Sequence, residues 1–504
     1  MKSLKTVLLG TAAGLLATGV AQAADLPVKK AAAVQYVEVC PVYGAGFYKL
    51  PGTDICIRHF GSMKFNYGIQ DARTAFFADS TGKFALSSSS GKIKFSPASA
   101  FATHAGAANT MGWQWTIRPG WDFRSPTEYG TLRTVVQLRV DQRNGIFEND
   151  DPAGTGAMRL TNAIQRGYIE WAGFIVGRAG SSFPYWDQED VVVAIGGDPK
   201  TTAMQLTYVF NIPGGIKATI GVEDTTPWTA GGGIIDLAHP AAGRGIATVG
   251  GPTRGYDYIA SLSTDQSWGN AKLAAAAHQL VAAAQVNGNG GSVTGLRGPN
   301  TFEQDYGFAA LAGITFFLPM LGAKDQLLLE TTWCKGASAY CGTNGGADNN
   351  ATTFERGGQF LEGLQRNDVD AYANTTSTTS WSYDKVKIMS VAGQLRHYWA
   401  PLWRSNLSAS YRKIDVPTSA EQFNFRQGGL GDAKVADVAL NLIWGQKQKT
   451  AEIGVEALYK STKQDIPGNP NQLGGGSAAG NDVLRRYGPD TSGWAVVGFL
   501  QRSW

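Results

Sequence analysis

From about residue 200 to the C-terminus, apolar and polar side chains alternate in segments of roughly ten residues, and the connections run short, long, short, long. Alternation with period two sends successive side chains to opposite faces of a strand. Segments of that length, with tight links on one side and large loops on the other, are the pattern of an all-β, antiparallel up-and-down β-barrel spanning an outer membrane. The short links are NIPGG (211–215), QSWGN (266–270), LPMLGAKD (318–325), APL (400–402) and GQKQK (445–449). The long connections are 225–254, 282–303, 335–382, 414–433 and 461–492, rich in Gly, Asn, Thr and Ser. A soluble sandwich has no reason to sort its loops so strictly by length.

Extended over the whole chain, the alternation predicts about 16 strands, an even number as bacterial barrels require. They fall near 55–67, 111–124, 131–143, 163–171, 173–178, 203–210, 216–224, 255–265, 270–281, 304–317, 326–334, 383–399, 402–413, 434–444, 450–460 and 493–504. An even count puts both termini on the periplasmic side. Lys83–Phe95 also alternates, but counting it as a barrel strand would turn the short link 125–130 into an external loop, so it is assigned to a structured first loop. By the same parity, YIEWAGFIVGR (168–178) contains two strands hinged at Ala172 and Gly173.

Period two also sorts the faces. In the second strand Trp113, Trp115, Ile117, Trp121 and Phe123 share one face, and Gln114, Thr116, Arg118, Asp122 and Arg124 the other. The aromatic face meets lipid. In the third strand Leu138 and Val140 point out while Arg133, Gln137, Arg139, Asp141 and Arg143 point in; in the first, Ile57, Met63 and Phe65 oppose Arg58, Ser62, Lys64 and Asn66. Arg58, Lys64, Arg118, Arg124, Arg133, Arg139 and Arg143 are therefore expected to form a basic wall of the lumen. So polar an interior is no packed hydrophobic core, and a barrel of this strand number is wide enough for a water-filled channel.

The N-terminus supplies an address. Lys2 and Lys5 precede an apolar stretch from Val7 to Val20 and the small-residue pattern Ala21-Gln22-Ala23, which reads as a secretory signal over 1–23. The rest, 24–504, reads as one barrel domain, since no charged or Pro-rich linker divides it. Loss of Lys2 and Lys5 lowers the formal charge from +4 to +2, a balance that suggests no nucleic-acid partner. Sixty-four glycines, 14 tryptophans and 18 tyrosines suit many turns and aromatic girdles, and a mean hydropathy of −0.16 argues against a bundle of membrane helices. The most apolar later run, Phe308–Ala323, holds Thr315 and Pro319 and reads as a strand entering a turn. In an oxidising compartment the four cysteines are expected to close two local loops, Cys40 with Cys56 and Cys334 with Cys341. No CxxC spacing or histidine cluster suggests a metal, and no cofactor is expected. His59, His104, His239, His278 and His397 show no motif with a nearby serine or acidic partner, which counts against an enzyme; His59 and His397 are expected at the membrane interface.

The connection 179–200, AGSSFPYWDQEDVVVAIGGDPK, is external by parity and carries Asp187, Glu189, Asp190 and Asp198 before its first basic residue, Lys200. Around it the chain resembles a known family. CPVYGAGFYKLPGTDICIRHFG (40–61), YIEWAGFIVGRAGSSF (168–183) and GFLQRSW (498–504) are similar to segments of the alphaproteobacterial general porins, trimeric proteins of the outer membrane. That resemblance implies passive diffusion of small hydrophilic solutes through a homotrimer set in lipid and lipopolysaccharide. It further implies a third external loop folded into the barrel, with Asp187, Glu189 and Asp190 facing Arg118, Arg139 and Arg143 across the constriction. Such barrels usually end in Phe; here the aromatic end read by the barrel-assembly machinery is Trp504, and Arg502 shares its lipid-facing parity near the strand end, where a long side chain can snorkel. A solute-specific channel is the alternative, with Tyr185 and Trp186 as its aromatic trace. An adhesin reading would rest on 335–382 and 461–492, whose composition is that of any surface loop.

Overall fold

The computed structural model describes residues 38–73, 111–147, 159–186, 202–225, 234–236, 255–282, 303–342, 369–374, 382–420, 431–446, 451–465 and 491–504. In chain order its strands are β1 (Tyr48–Lys49), β2 (Cys56–Arg73), β3 (Met111–Thr127), β4 (Gly130–Arg143), β5 (Arg159–Trp171), β6 (Phe174–Gly180) and β7 (Thr202–Ile212). Then come β8 (Ile216–Glu223), β9 (Ile234–Asp236), β10 (Asp257–Gln266), β11 (Gly269–Ala282), β12 (Glu303–Phe317), β13 (Gln326–Lys335) and β14 (Ala371–Asn374). The last are β15 (Ser382–Lys385), β16 (Lys387–Ala400), β17 (Trp403–Asp415), β18 (Ala433–Gly445), β19 (Glu452–Gln464) and β20 (Thr491–Ser503).

Sixteen of these strands, β2 to β8, β10 to β13 and β16 to β20, form one closed antiparallel barrel, β20 pairing back onto β2 from Ser62↔Ser503 to Arg73↔Ser492. Each of the sixteen strands read from the alternation is present. Joins alternate as expected, from two residues (128–129) to eight (318–325) on one side, and from 15 (144–158) to 51 (336–386) on the other. The two-residue link at Ala172-Gly173 has both residues at positive φ, 49° and 87°, the conformation of a tight hairpin turn whose twist matches its strands. The run from Phe308 does end β12 and enter the turn 318–325.

The segment 383–399 is not one strand. Val386 divides it, because β15 leaves the barrel and pairs with β14, which pairs in parallel with β9. This three-stranded sheet joins two long external connections, and Ile234 and Ala371 pack on Leu280 of β11. Nothing in period-two alternation distinguishes a strand on the rim from one in the wall. The segment Lys83–Phe95 lies outside the described residues, as do 1–23.

The faces divide by chemistry. Met63, Phe65, Trp113 and Leu138 are exposed on the outer surface, whereas Gln114, Thr116, Asp122 and Asp141 are buried on the inner one. A bulge at Gln165 lets both Ile164 and Ile169 face out although their numbers differ in parity. Arg502 is exposed beside Trp504, whose backbone N–H and C=O both pair with Gly61 at 3.0 Å. Near the turn side Tyr48 stacks on His59, whose ring meets Trp121 edge-on, and His397 meets Trp399 edge-on.

The interior departs from a uniformly polar lumen. Ile146, Phe147 and Trp186 pack on inward residues of β13, β16 and β18 to β20, including Leu328, Ala439, Ile443 and Val497. A Cβ on Gly68 would lie 2.8 Å from Ile146, so the bare backbone there admits the loop after β4. Beneath this filling the polar ladder of β17 to β19 is closed off: Arg404 binds Glu452 at 2.6 Å, and Asn441 accepts from Asn406 and donates to Glu456, each at 2.9 Å. Toward the turns of β2 to β4, Arg58, Arg124 and Arg133 stay partly exposed on the inner face. Both expected disulfides, Cys40–Cys56 and Cys334–Cys341, are formed.

Candidate functional site

The third long connection starts at the end of β6, the fifth barrel strand, and its first six residues cross to the ninth, tenth and eleventh. Ser182 N–H donates to Glu223 of β8 at 3.1 Å, and the Phe183 ring meets Tyr340 edge-on at 4.8 Å. Pro184 C=O accepts from Lys272 Nζ of β11 at 2.7 Å, and Trp186 N–H donates to Glu330 of β13 at 3.1 Å. Between them the Tyr185 hydroxyl lies 2.5 Å from Asn270 Oδ1 and 2.6 Å from Thr315 Oγ1. It donates to the amide oxygen and accepts from the threonine. Burial holds this phenol above its ordinary value near 10. The ring lies where a side chain on Gly313 would be, 2.2 Å from the position of a Cβ. Asn270 is the second residue of β11 after the turn 267–268, so the neck of the loop reaches deep toward the turn side.

Backbone groups taken inside a barrel must find partners. Here the far wall offers a buried carboxylate for an N–H and an ammonium for a carbonyl. Trp186 is itself 4% exposed. Asp187, Glu189, Asp190 and Asp198, the proposed acidic side, lie outside the described residues.

The basic side is more compensated than its sequence suggests. Asp122 accepts from Arg124 at 2.9 Å and Arg133 at 3.1 Å, with Arg58 3.7 Å away; Arg133 also binds Glu170 at 3.0 Å. Arg139 sits 2.5 Å from Asp141, which accepts a hydrogen bond from Thr116. The side chains of Lys64 and Arg118 are half-buried, with Lys64 Nζ 5.3 Å over the Phe499 ring. Arg143 is only 1% exposed, so it does not line open lumen. Strand parity placed Asp122 and Asp141 on the inner face with the arginines, and the Asp122–Arg124 and Asp141–Arg139 pairs, each two residues apart on one strand, are compatible with it alone; the contacts of Arg58 and Arg133 with Asp122 depend on register, which parity leaves open. Glu170 and Tyr168, whose ring lies 5.9 Å from the Arg133 guanidinium, escaped because the Gln165 bulge offsets their strand. Phe47, which lies 5.0 Å from the Arg58 guanidinium and 4.6 Å from that of Arg124, precedes the barrel and carried no signal.

His278 does have acidic partners. Its Nδ1 is 2.7 Å from Asp257 and its Nε2 3.5 Å from Asp370, and Tyr340 donates to Asp257 at 2.7 Å. These residues lie 21 to 92 positions from His278, beyond the reach of a local motif. The group ties the connection after β13 to the wall. His59 hydrogen-bonds Tyr48 at 2.7 Å and His397 binds Asp325 at 2.5 Å, both among interfacial aromatics; His104 and His239 lie outside the described residues.

A closed sixteen-stranded barrel with an apolar exterior, long loops on one side and a loop pinned across its bore is an outer-membrane channel protein of the Gram-negative type. The family profile described as the Porin subfamily matches residues 25–464, and the chain belongs to that family. Porin Omp2a of Brucella canis is 30% identical over 269 residues, which cover 49% of this chain and 62% of that one. Porin Omp2b of Brucella suis is 29% identical over 282 residues, covering 53% and 64%. The matched region thus spans less than two thirds of these relatives. The fold resembles the outer membrane channel DcaP of Acinetobacter baumannii, with a TM-score of 0.54, 13% identity and coverage of 90% and 99%. Membership of this family points to a channel rather than an enzyme.

Proposed function

We propose that this porin is a homotrimer whose water-filled lumen passes small hydrophilic solutes and ions by passive diffusion. The observation that carries the reading is the crossing of residues 181–186 from β6 to β11, β12 and β13, since a loop held across a bore by its backbone narrows it without closing it. In this reading Asp187, Glu189 and Asp190 continue from Trp186 into the constriction and face Arg118 and Arg139 across water. Opposed charges orient dipolar solutes and keep both signs of ion passable. Lipid and lipopolysaccharide surround the trimer, and the assembly machinery reads the aromatic Trp504.

The solute-specific alternative loses its support at the two residues that suggested it. Tyr185 hydrogen-bonds to the wall and Trp186 is packed in the apolar cluster, so neither presents a free aromatic face for a sugar. The test is a planar bilayer with a salt gradient. Changing Asp187 and Asp190 to Asn and Glu189 to Gln is expected to shift the reversal potential toward anions, most strongly at 0.01 M salt, where the Debye length is roughly 30 Å. An unchanged potential in a folded triple variant would reject the constriction.

A further inference from the structure

We infer that Arg58, Arg124 and Arg133 form a binding site for small oxyanions, carrying a carboxylate or phosphate group, at the periplasmic exit of the channel. The site rests on the diffusion reading above and adds a class of preferred solute to it. Its three guanidinium groups project inward near the turn side of β2, β3 and β4, across the strand order from β11 to β13, which hold the loop neck.

One buried carboxylate holds the fan together. Asp122 has a fully buried side chain and accepts from Arg124 Nε and Nη2 and from Arg133 Nε and Nη2, which uses the roughly four acceptor positions a carboxylate possesses. Arg58, at 3.7 Å, is left outside that set and makes no hydrogen bond to any described residue. Its side chain is 39% exposed, and its guanidinium lies over the Phe47 ring, which is 1% exposed and held by the Cys40–Cys56 hairpin. An aromatic face therefore orients the group, whose Nε is buried without a hydrogen-bond partner while the side chain as a whole stays partly exposed.

Within the cluster three cations meet two anions, Asp122 and Glu170, an excess of one positive charge. A planar fork of unused donors beside net positive charge matches the paired oxygens of a carboxylate or phosphate. Chloride can answer the charge but not the fork. The site should therefore separate oxyanions from halide by binding, beyond what a basic wall does to all anions alike.

The test uses the purified full-length protein in planar bilayers with inorganic phosphate or chloride. In the wild type, conductance is expected to saturate with phosphate while rising steadily with chloride. Arg58→Gln spares the bonds to Asp122 and should raise the half-saturating phosphate concentration about tenfold, the worth of one charge-assisted contact. Phe47→Leu should raise it less and keep wild-type chloride conductance, whereas Arg58→Gln, which also removes one charge of the wall, should lower chloride conductance modestly and leave it non-saturating. Phosphate conductance that never saturates, or saturation unchanged in Arg58→Gln, would overturn the site while leaving the channel intact. A folded protein that passes neither ion would overturn the channel reading itself, and this site with it.

Discussion

Gly313 carries no side chain, and the ring of Tyr185 fills the room this leaves. Gly313→Val should therefore lift the loop neck from the far wall, at an overpacking cost of about 1–3 kcal/mol, and widen the bore. A larger and noisier single-channel conductance is expected. Tyr185→Phe keeps the ring but loses the hydroxyl contacts to Asn270 and Thr315, a cost of about 1 kcal/mol, and should give noise with little change in mean conductance. The pH dependence has a definite sign. Because burial raises the phenol, its contribution is complete below its ordinary value and is lost only as pH rises through a still higher one, so the noise that Tyr185→Phe adds over wild type should stay constant from about pH 7 to 9. Lys272 and Glu330, which also hold the neck, are common to both proteins, so a difference that changes within that window would remove Tyr185 as an anchor. At this scale parity placed Arg58, Lys64, Arg118, Arg124, Arg133 and Arg139 on the inner face beside Asp122 and Asp141, and a spacing of two already offered the Asp122–Arg124 and Asp141–Arg139 pairs. The contacts of Arg58 and Arg133 with Asp122 run between neighbouring strands, and alternation alone contains no register.

The hairpins were legible because each has a local cause: alternation makes the strands and two or three residues make the turn. The external connections were not, since their order comes from long-range contacts. The parallel pairing of β14 with β9 joins residues more than 130 positions apart, and His278 meets Asp370 in the same region. The Cys334–Cys341 bridge stands at the base of this assembly, holding Tyr340 where it donates to Asp257 and meets Phe183 edge-on. Replacing both cysteines with serine should cost about 2 kcal/mol and deprotect the amides of 336–342 to hydrogen exchange, while circular dichroism of the barrel stays unchanged. The unreduced, denatured protein should show no free thiol. Four titratable thiols would contradict both bridges.

At the scale of the whole molecule the barrel is lopsided. Ile146, Phe147 and Trp186 pack on inward residues of β13, β16 and β18 to β20, and the partly exposed arginines Arg58, Arg124 and Arg133 stand near the turns of β2 to β4. The sheet has no open edge, so heat in detergent should be needed to unfold it, and an unboiled sample is expected to migrate faster than a boiled one or as a trimer. Identical migration would count against a closed barrel. Closure also has a kinetic consequence. Ser62 and Ser503 pair although more than four hundred residues of chain separate them, and the entropy of bringing such distant ends together is on the order of 5 kcal/mol. Every partly assembled form offers two raw strand edges until β20 docks, and those edges can recruit a neighbouring chain as readily as each other. The slow, aggregation-prone step of biogenesis is thus the final one, and its speed depends on how long β2 is kept from meeting the wrong partner.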